Sequence, residues 1–514
     1  MLKKMKMYAK KYKAAICALL FSAILPSCTK DFQEINTDPE ASANIQPAFV
    51  FTKALYDGAK NNLTLLLGTM QYTTSFNDVA GFGSKYVSSQ SQQSSAQFSN
   101  AYYQEINEIT LVIDAVKANP DQVNLLAAAR IWRAYCFART TDLYGDIPYT
   151  EAAQGYTSAN YKPAYDAQRA IYLDLLKELE ESALSLNAAK TTFGQADLIY
   201  AGNTTKWKKF AYSLMLRLGM RLTKVDIVLA ESWVKKAIAG GVITDDADIA
   251  KISYMSAGQD INKNPIALTL YNGDYIKADG TSNQEGGKYQ NTFITYMKTN
   301  KDPRLGILSV VYVNGVADTT MAIQKGMPAT FSSKPADFVT YSEPNQKTVL
   351  ALGGAKLIYT TAETDFLLAE ANLRGWYAAG NAAALYEAGI RAAMKQWAII
   401  VPADGIISDL QINTYIKYHP FNTAGTFEQK MQQIYTEYWL AIFPDAQEAF
   451  ASYRRTGYPA LVPVVYVGNA TGGRIFRRML YPLSEQNLNR ASLDAAIARQ
   501  GSDDFMTRIW WDKL

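Results

Sequence analysis

The sequence predicts a mainly α-helical protein in which helix pairs form a scaffold and one long irregular lobe interrupts it. Three observations carry this expectation. Residues 358–391 read as helix, turn and helix, with small residues where the two helices would cross closely, which is the length and texture of a tetratricopeptide unit. The segments 101–143, 165–222 and 427–455 hold helical pairs of similar length but without self-similarity. Between 241 and 357 the helical period fades into Gly, Asn, Thr and Tyr, with short strand-like runs such as Leu308–Val313. Degenerate helix pairs stacked as a solenoid are the expected fold, and a plain helical bundle is the alternative.

The chain opens on a positive head formed by Lys3, Lys4, Lys6, Lys10, Lys11 and Lys13. An apolar core, Ala14–Leu25, follows, and its 12 residues are too few to span a bilayer, which takes about 20. Head and core fit an export signal over residues 1–27. Leu25-Pro26-Ser27-Cys28 resembles a bacterial lipobox, which implies cleavage before Cys28 and acylation of its thiol and new amino group. An ordinary signal peptide or a weak membrane anchor is the alternative. Residues 28–47 would then be the lipidated cysteine and a polar tether.

The first part of the scaffold is placed over 48–240. Helical spacing holds over Ala48–Met70 and Ala101–Lys117. In Leu126–Leu143, Ala127, Ile131, Ala134 and Ala138 share a stripe beside Trp132 and Cys136. Gly145 and Pro148 stop that helix, because Gly suits the left-handed position after a helix and Pro cannot continue one. Helices are also expected over Tyr165–Ala188, over Lys206–Thr223 with Arg217 and Arg221 at i, i+4, and over Val225–Ala239. The irregular lobe is placed over 241–357, and the second part of the scaffold over 358–514. There Thr360 with Glu363, and Thr426 with Gln429, have capping-box spacing. Glu370 can pair with Arg374. A helix over Asp445–Arg455 ends at Gly457, with Arg454 and Arg455 near its negative end. The tail from Arg474 holds a basic, strand-like segment and a final helical piece.

Charge narrows the function. The net charge of +4 is set by the leader: residues 1–27 hold six lysines and no acid, leaving 45 basic and 47 acidic residues beyond it. That balance argues against nucleic-acid binding driven by bulk charge. Beyond the leader only Cys28 and Cys136 remain, so no disulfide framework is expected, and Cys136 reads as a small buried hydrophobe. One histidine, His419, in a loop-like context, gives no zinc set and no triad. Asp245, Asp246 and Asp248 lack the spacing of an EF-hand loop and read as a solvated turn. No metal, cofactor or catalytic residue is expected.

Several motifs together resemble the SusD/RagB family of outer-membrane nutrient-binding lipoproteins. After Cys28 to Pro39 come TDLYGDIPY, ending at Tyr149, and WKKFAYSLMLRLGMRL at Trp207–Leu222. Asp302-Pro303-Arg304-Leu305, AETDFLLAEAN at Ala362–Asn372, EAFASYRRTGYPAL at Glu448–Leu461 and RRMLYPLSE at Arg477–Glu485 follow in the family's order. The RRTGYP ending is similar to one branch of it. The resemblance implies a tetratricopeptide-like scaffold bearing a loop-rich, ligand-facing lobe. It also implies lipid anchoring in the outer membrane at the cell surface, capture of an oligosaccharide without catalysis, and transfer to a SusC/RagA-type TonB-dependent barrel. A non-sugar ligand such as a peptide is the alternative, and an anchored glycosidase the remoter one.

A sugar presents apolar C–H faces and hydroxyl edges, so its site needs aromatic faces beside amides and carboxylates. Two stretches outside the helical pattern supply such residues. Gln71–Asn100 offers Tyr72, Phe76, Asn77 and Tyr86, and Tyr271–Phe293 offers Tyr271, Asp274, Tyr275 and Tyr289. Local loop packing is the competing reading of each aromatic. Neither stretch contains Trp, which leaves Tyr as the expected platform.

Overall fold

In the computed structural model, residues 46–60, 64–76, 83–87, 91–268 and 287–514 are described, and Pro47–Leu514 form one compact unit. Helices follow the sequence periodicity and pack as successive neighbours. Helix α1 (Pro47–Lys60) lies on the helix reached from α2 (Ser91–Asn100), through a π-helical turn Ala101–Ile106, to α3 (Asn107–Val116). Helix α3 packs on α4 (Val123–Tyr144), α4 on α5 (Gln168–Ser185), α5 on α6 (Thr204–Arg221), and α6 on α7 (Ile227–Gly240). Gly145 caps α4 at φ +82°, donating to the Thr141 carbonyl at 2.7 Å. A Cβ there would come within 1.7 Å of Gln500 Oε1.

Among the described residues, the short strands all precede the helices of the second part, and the irregular lobe also holds helix α8 (Asn291–Thr299) and a one-turn helix, Leu305–Leu308. Strand β1 (Thr73–Thr74) pairs antiparallel with β5 (Lys288–Tyr289), and β2 (Ile147–Pro148) with β3 (Tyr165–Asp166). Strand β4 (Ala250–Ile252) pairs with β9 (Lys356–Tyr359), while β6 (Ser309–Val313) lies between β7 (Val316–Asp318) and β8 (Glu343–Pro344). The strand-like reading of Leu308–Val313 thus corresponds to β6, whereas the basic segment from Arg474 to Arg478 forms no strand.

The second part contains α9 (Thr361–Leu373), α10 (Ala382–Ile400), α11 (Asp409–Tyr418), α12 (Phe427–Ala441), α13 (Ala446–Thr456) and the terminal α14 (Arg490–Gln500). Helices α9 and α10 pack against each other and both against α12, and α9 also meets α6. Thr426 and Gln429 make the reciprocal capping box, as do Ser408 and Gln411, a pair the sequence reading missed. At α9 only half of the expected box exists. Thr360 accepts from the Glu363 amide at 3.2 Å, but the Glu363 carboxylate turns inward to Arg217, at 2.5 and 2.6 Å.

That pair opens a set of buried ion pairs joining distant segments. Arg221 reaches Glu448 at 2.5 Å and Asp142 at 3.3 Å, and the Trp511 indole donates to Asp142 at 2.9 Å. Arg304 holds Asp302 at 2.6 Å and Glu437 at 2.8 Å. Arg455 holds Glu370 at 2.8 Å, and Glu370 also takes Arg374 at 2.8 Å. Burial alone would push Glu370 up, but Arg455 and Arg374 together outweigh it and hold the carboxyl at about 2. Arg454 stacks on Phe450 and Trp511 and donates to the Arg477 carbonyl at 2.9 Å. The arginines of the motifs are therefore interior fold determinants.

Candidate functional site

Residues 101–270 separate the two stretches selected for ligand contact, and strands β1 and β5 join them, with Thr73 opposite Tyr289 and Thr74 opposite Lys288. Strand β5 is held further by Tyr289 N–H to the Ser342 carbonyl at 2.8 Å and by Met327 N–H to the Tyr289 carbonyl at 2.8 Å. Beside this junction lies a small apolar cluster separate from the main core: Met327, Phe338 and Tyr341, with Phe76 and Phe331 packed on it. Phe76 meets Phe338 edge-on at 5.3 Å, and Phe331 meets Tyr341 at 6.2 Å.

One buried ammonium ties the cluster together. Lys85 Nζ donates to the Phe76 carbonyl at 2.9 Å and to the Phe331 carbonyl, and lies 4.6 Å from the centre of the Tyr466 ring. Lys288 pairs with Glu343 beneath the Phe338 ring. Half-buried Phe76, Phe331 and Tyr466 border exposed Ser332, Ser333, Lys325 and Lys334 along the same segments. Such a surface offers apolar rings for C–H faces and hydroxyls and ammoniums for hydroxyl edges.

The sequence-selected residues divide three ways. Phe76 stands on this face. Tyr72, Tyr86 and Tyr289 are corrections to the expectation of exposed platforms, since each is a core residue. Tyr72 stacks on Trp439 at 4.9 Å and donates to its carbonyl at 2.6 Å, Tyr86 donates to the Thr69 carbonyl at 3.2 Å, and Tyr289 to the Leu308 carbonyl at 3.0 Å. Burial pushes all three phenols far up. Cys28, Asn77, Tyr271, Asp274 and Tyr275 lie outside the described residues. Phe331, Phe338, Tyr341 and Tyr466 were missed, although the stretch Phe331–Tyr341 carries three aromatics among Ser, Lys and Pro.

The remaining sequence candidates have structural roles. His419 stacks on Tyr415 at 4.1 Å and contacts its carbonyl. Cys136 is a buried free thiol. Asp245 accepts from the Ala247 amide at 2.8 Å, but Asp248 is buried and pairs with Lys209 at 2.5 Å, so the turn is less solvated than expected. Among the described residues no group of His, Cys, Asp or Glu is arranged to hold a metal ion, and no helix is long and apolar enough to cross a membrane.

Tetratricopeptide-like helix pairs carrying a loop-rich lobe with its own aromatic cluster define a binding protein on a helical scaffold. The chain belongs to the SusD-like family, described as starch-binding and associating with the outer membrane, whose profile matches residues 39–482. Among solved structures, a chitin-binding protein is 27% identical, with 91% of this chain and 100% of that chain covered and a TM-score of 0.78. A SusD-like protein of Bacteroidetes AC2a is 25% identical, with 91% and 100% covered and a TM-score of 0.77. A chitin-binding SusD homologue from Flavobacterium johnsoniae, 24% identical over 91% of this chain and 97% of that one, shares the fold at a TM-score of 0.74. No curated protein matches the chain.

Proposed function

We propose that this protein is a cell-surface lipoprotein that captures an oligosaccharide on the face bordered by Phe76, Phe331 and Tyr466. It then delivers the sugar, uncleaved, to a TonB-dependent outer-membrane barrel of the SusC/RagA type. The pairing of β1 with β5 is the observation that carries this reading, because it brings the segments selected for sugar contact together beside an aromatic cluster. The chitin-binding relatives favour a β-linked amino sugar as the first ligand to try. The lipobox-like Leu25 to Cys28 supports anchoring through lipid.

Calorimetry of residues 29–514 against chito-oligosaccharides, malto-oligosaccharides and short peptides tests the proposal, with chromatography of the sugar afterwards. Binding of one glycan series, weakened by Phe331→Ala and Tyr466→Ala and without shortened products, is the expected result. Binding of peptides alone would move the ligand class, and product release would overturn the non-catalytic reading.

A further inference from the structure

Beneath β9 the fold encloses a cavity of about 70 Å³ that none of Phe76, Phe331 and Tyr466 lines. A single water needs about 10–15 Å³ on this measure, so the space holds about five waters or a molecule of about that many heavy atoms. Ile358, Tyr359, Trp397, Ile400 and Phe443 give it apolar walls.

Five charged side chains line it: Arg217, Lys356, Glu363, Asp445 and Glu448. Four are paired. Arg217 holds Glu363 at 2.5 Å, Arg221 holds Glu448 at 2.5 Å, and Arg139 holds Asp445 at 3.2 Å. Lys356 is the exception: it is 8% exposed, and no described residue hydrogen-bonds or ion-pairs with its ammonium. Gln396, 2% exposed, also lines the space. Its amide N–H donates to the Ala441 carbonyl at 2.6 Å, which fixes the amide's orientation and leaves Oε1 buried without a donor. A buried acceptor without a donor, on a cavity that also carries an ammonium without a hydrogen-bonded acid, is costly in a folded interior unless something fills it. Arg221 also takes Asp142, so Arg139, Arg217, Arg221 and Lys356 balance Asp142, Glu363, Asp445 and Glu448. Of these cations Lys356 alone has no hydrogen-bonded acid, which gives a ligand carboxylate a place to pair. Burial depresses the Lys356 ammonium; Asp445 opposes this, and Arg139 and Arg217 add to the depression.

We propose that this cavity binds a short-chain hydroxycarboxylate, with its carboxylate on Lys356 Nζ and its hydroxyl donating to Gln396 Oε1. This is a site for a small metabolite, separate from the sugar-facing surface and independent of what binds there. The test titrates residues 29–514 with sodium lactate, sodium acetate and sodium chloride at equal ionic strength, reading heat and unfolding temperature. Lactate should bind about fivefold tighter than acetate, the size of one added hydrogen bond. Chloride should give no protection beyond ionic strength. Lys356→Met should weaken lactate at least tenfold without lowering the unfolding temperature of the ligand-free protein, and Gln396→Leu should bring lactate down to acetate. Equal protection by chloride, or undiminished lactate binding in Lys356→Met, overturns the proposal. Should Lys356→Met not fold, crystals of the unaltered protein soaked in sodium lactate decide: lactate density between Lys356 and Gln396 supports the site, and its absence there overturns it.

Discussion

Replacing Arg217 by Met tests the claim that buried charges, rather than helix packing alone, join the two parts of the scaffold. Arg217 is 5% exposed on α6, and its fork closes on Glu363 of α9, 2% exposed, at 2.5 and 2.6 Å. It also lies 3.6 Å from Glu448 and 4.8 Å from the centre of the Tyr359 ring. Methionine keeps most of the stem but leaves Glu363 in the interior without its cation. Losing one partner of a buried pair costs about 3–5 kcal/mol, mostly the desolvation of the partner left behind. Removing both charges leaves no such orphan, so Arg217→Met with Glu363→Met should recover at least half of that loss. The assay is urea unfolding of residues 29–514 followed by tryptophan fluorescence, with the four members of the cycle compared at a common slope. A loss below about 1 kcal/mol in Arg217→Met, or a double variant whose loss equals the sum of the singles, would refute the reasoning.

Three further predictions follow from single features. Asp365 is raised to about 7, first by burial and then by the Asp246 carboxylate, so its folded value lies above the ordinary 3.8. The folded form then holds the proton more tightly, and stability falls as pH rises from about 4 to 7. Asp365→Asn should remove that slope and add on the order of 1–3 kcal/mol at pH 8, and unfolding midpoints across this pH range check it. Gly145→Ala should destabilise by more than 1 kcal/mol, because alanine is strained at φ +82° and its Cβ displaces Gln500, and thermal unfolding reads the change. Cys28→Ala should leave the protein able to bind its ligand but released from the membrane fraction, and continued membrane retention would count against lipid as the anchor.

The helical scaffold was legible because its signal is local. Ala127, Ile131, Ala134 and Ala138 announce α4 within four turns, and Thr426 with Gln429 announces the start of α12 within four residues. The candidate face was legible only as segments. Tyr72 sits among polar loop residues, and nothing nearby reveals that Trp439, 367 positions away, takes up its ring and hydroxyl. Glu363 failed in the same way: its spacing from Thr360 fits a local cap, but a buried arginine from another helix offers more than an orphan amide does. The partners of Phe76 were missed because Phe331 and Tyr466 come from two other stretches, and Lys85, which draws the three together, looks like an ordinary surface lysine in sequence.

The buried pairs bear on how such a chain changes over generations. Arg221 serves Asp142 and Glu448 at once, so altering any one of the three strands the others in the interior. These positions can drift only by coordinated replacement, and single steps through them are steep. The cluster under Phe76 and Phe331 belongs to a different small core, so its side chains can be exchanged without touching those pairs. A chain built this way can vary its candidate face while its frame stands still.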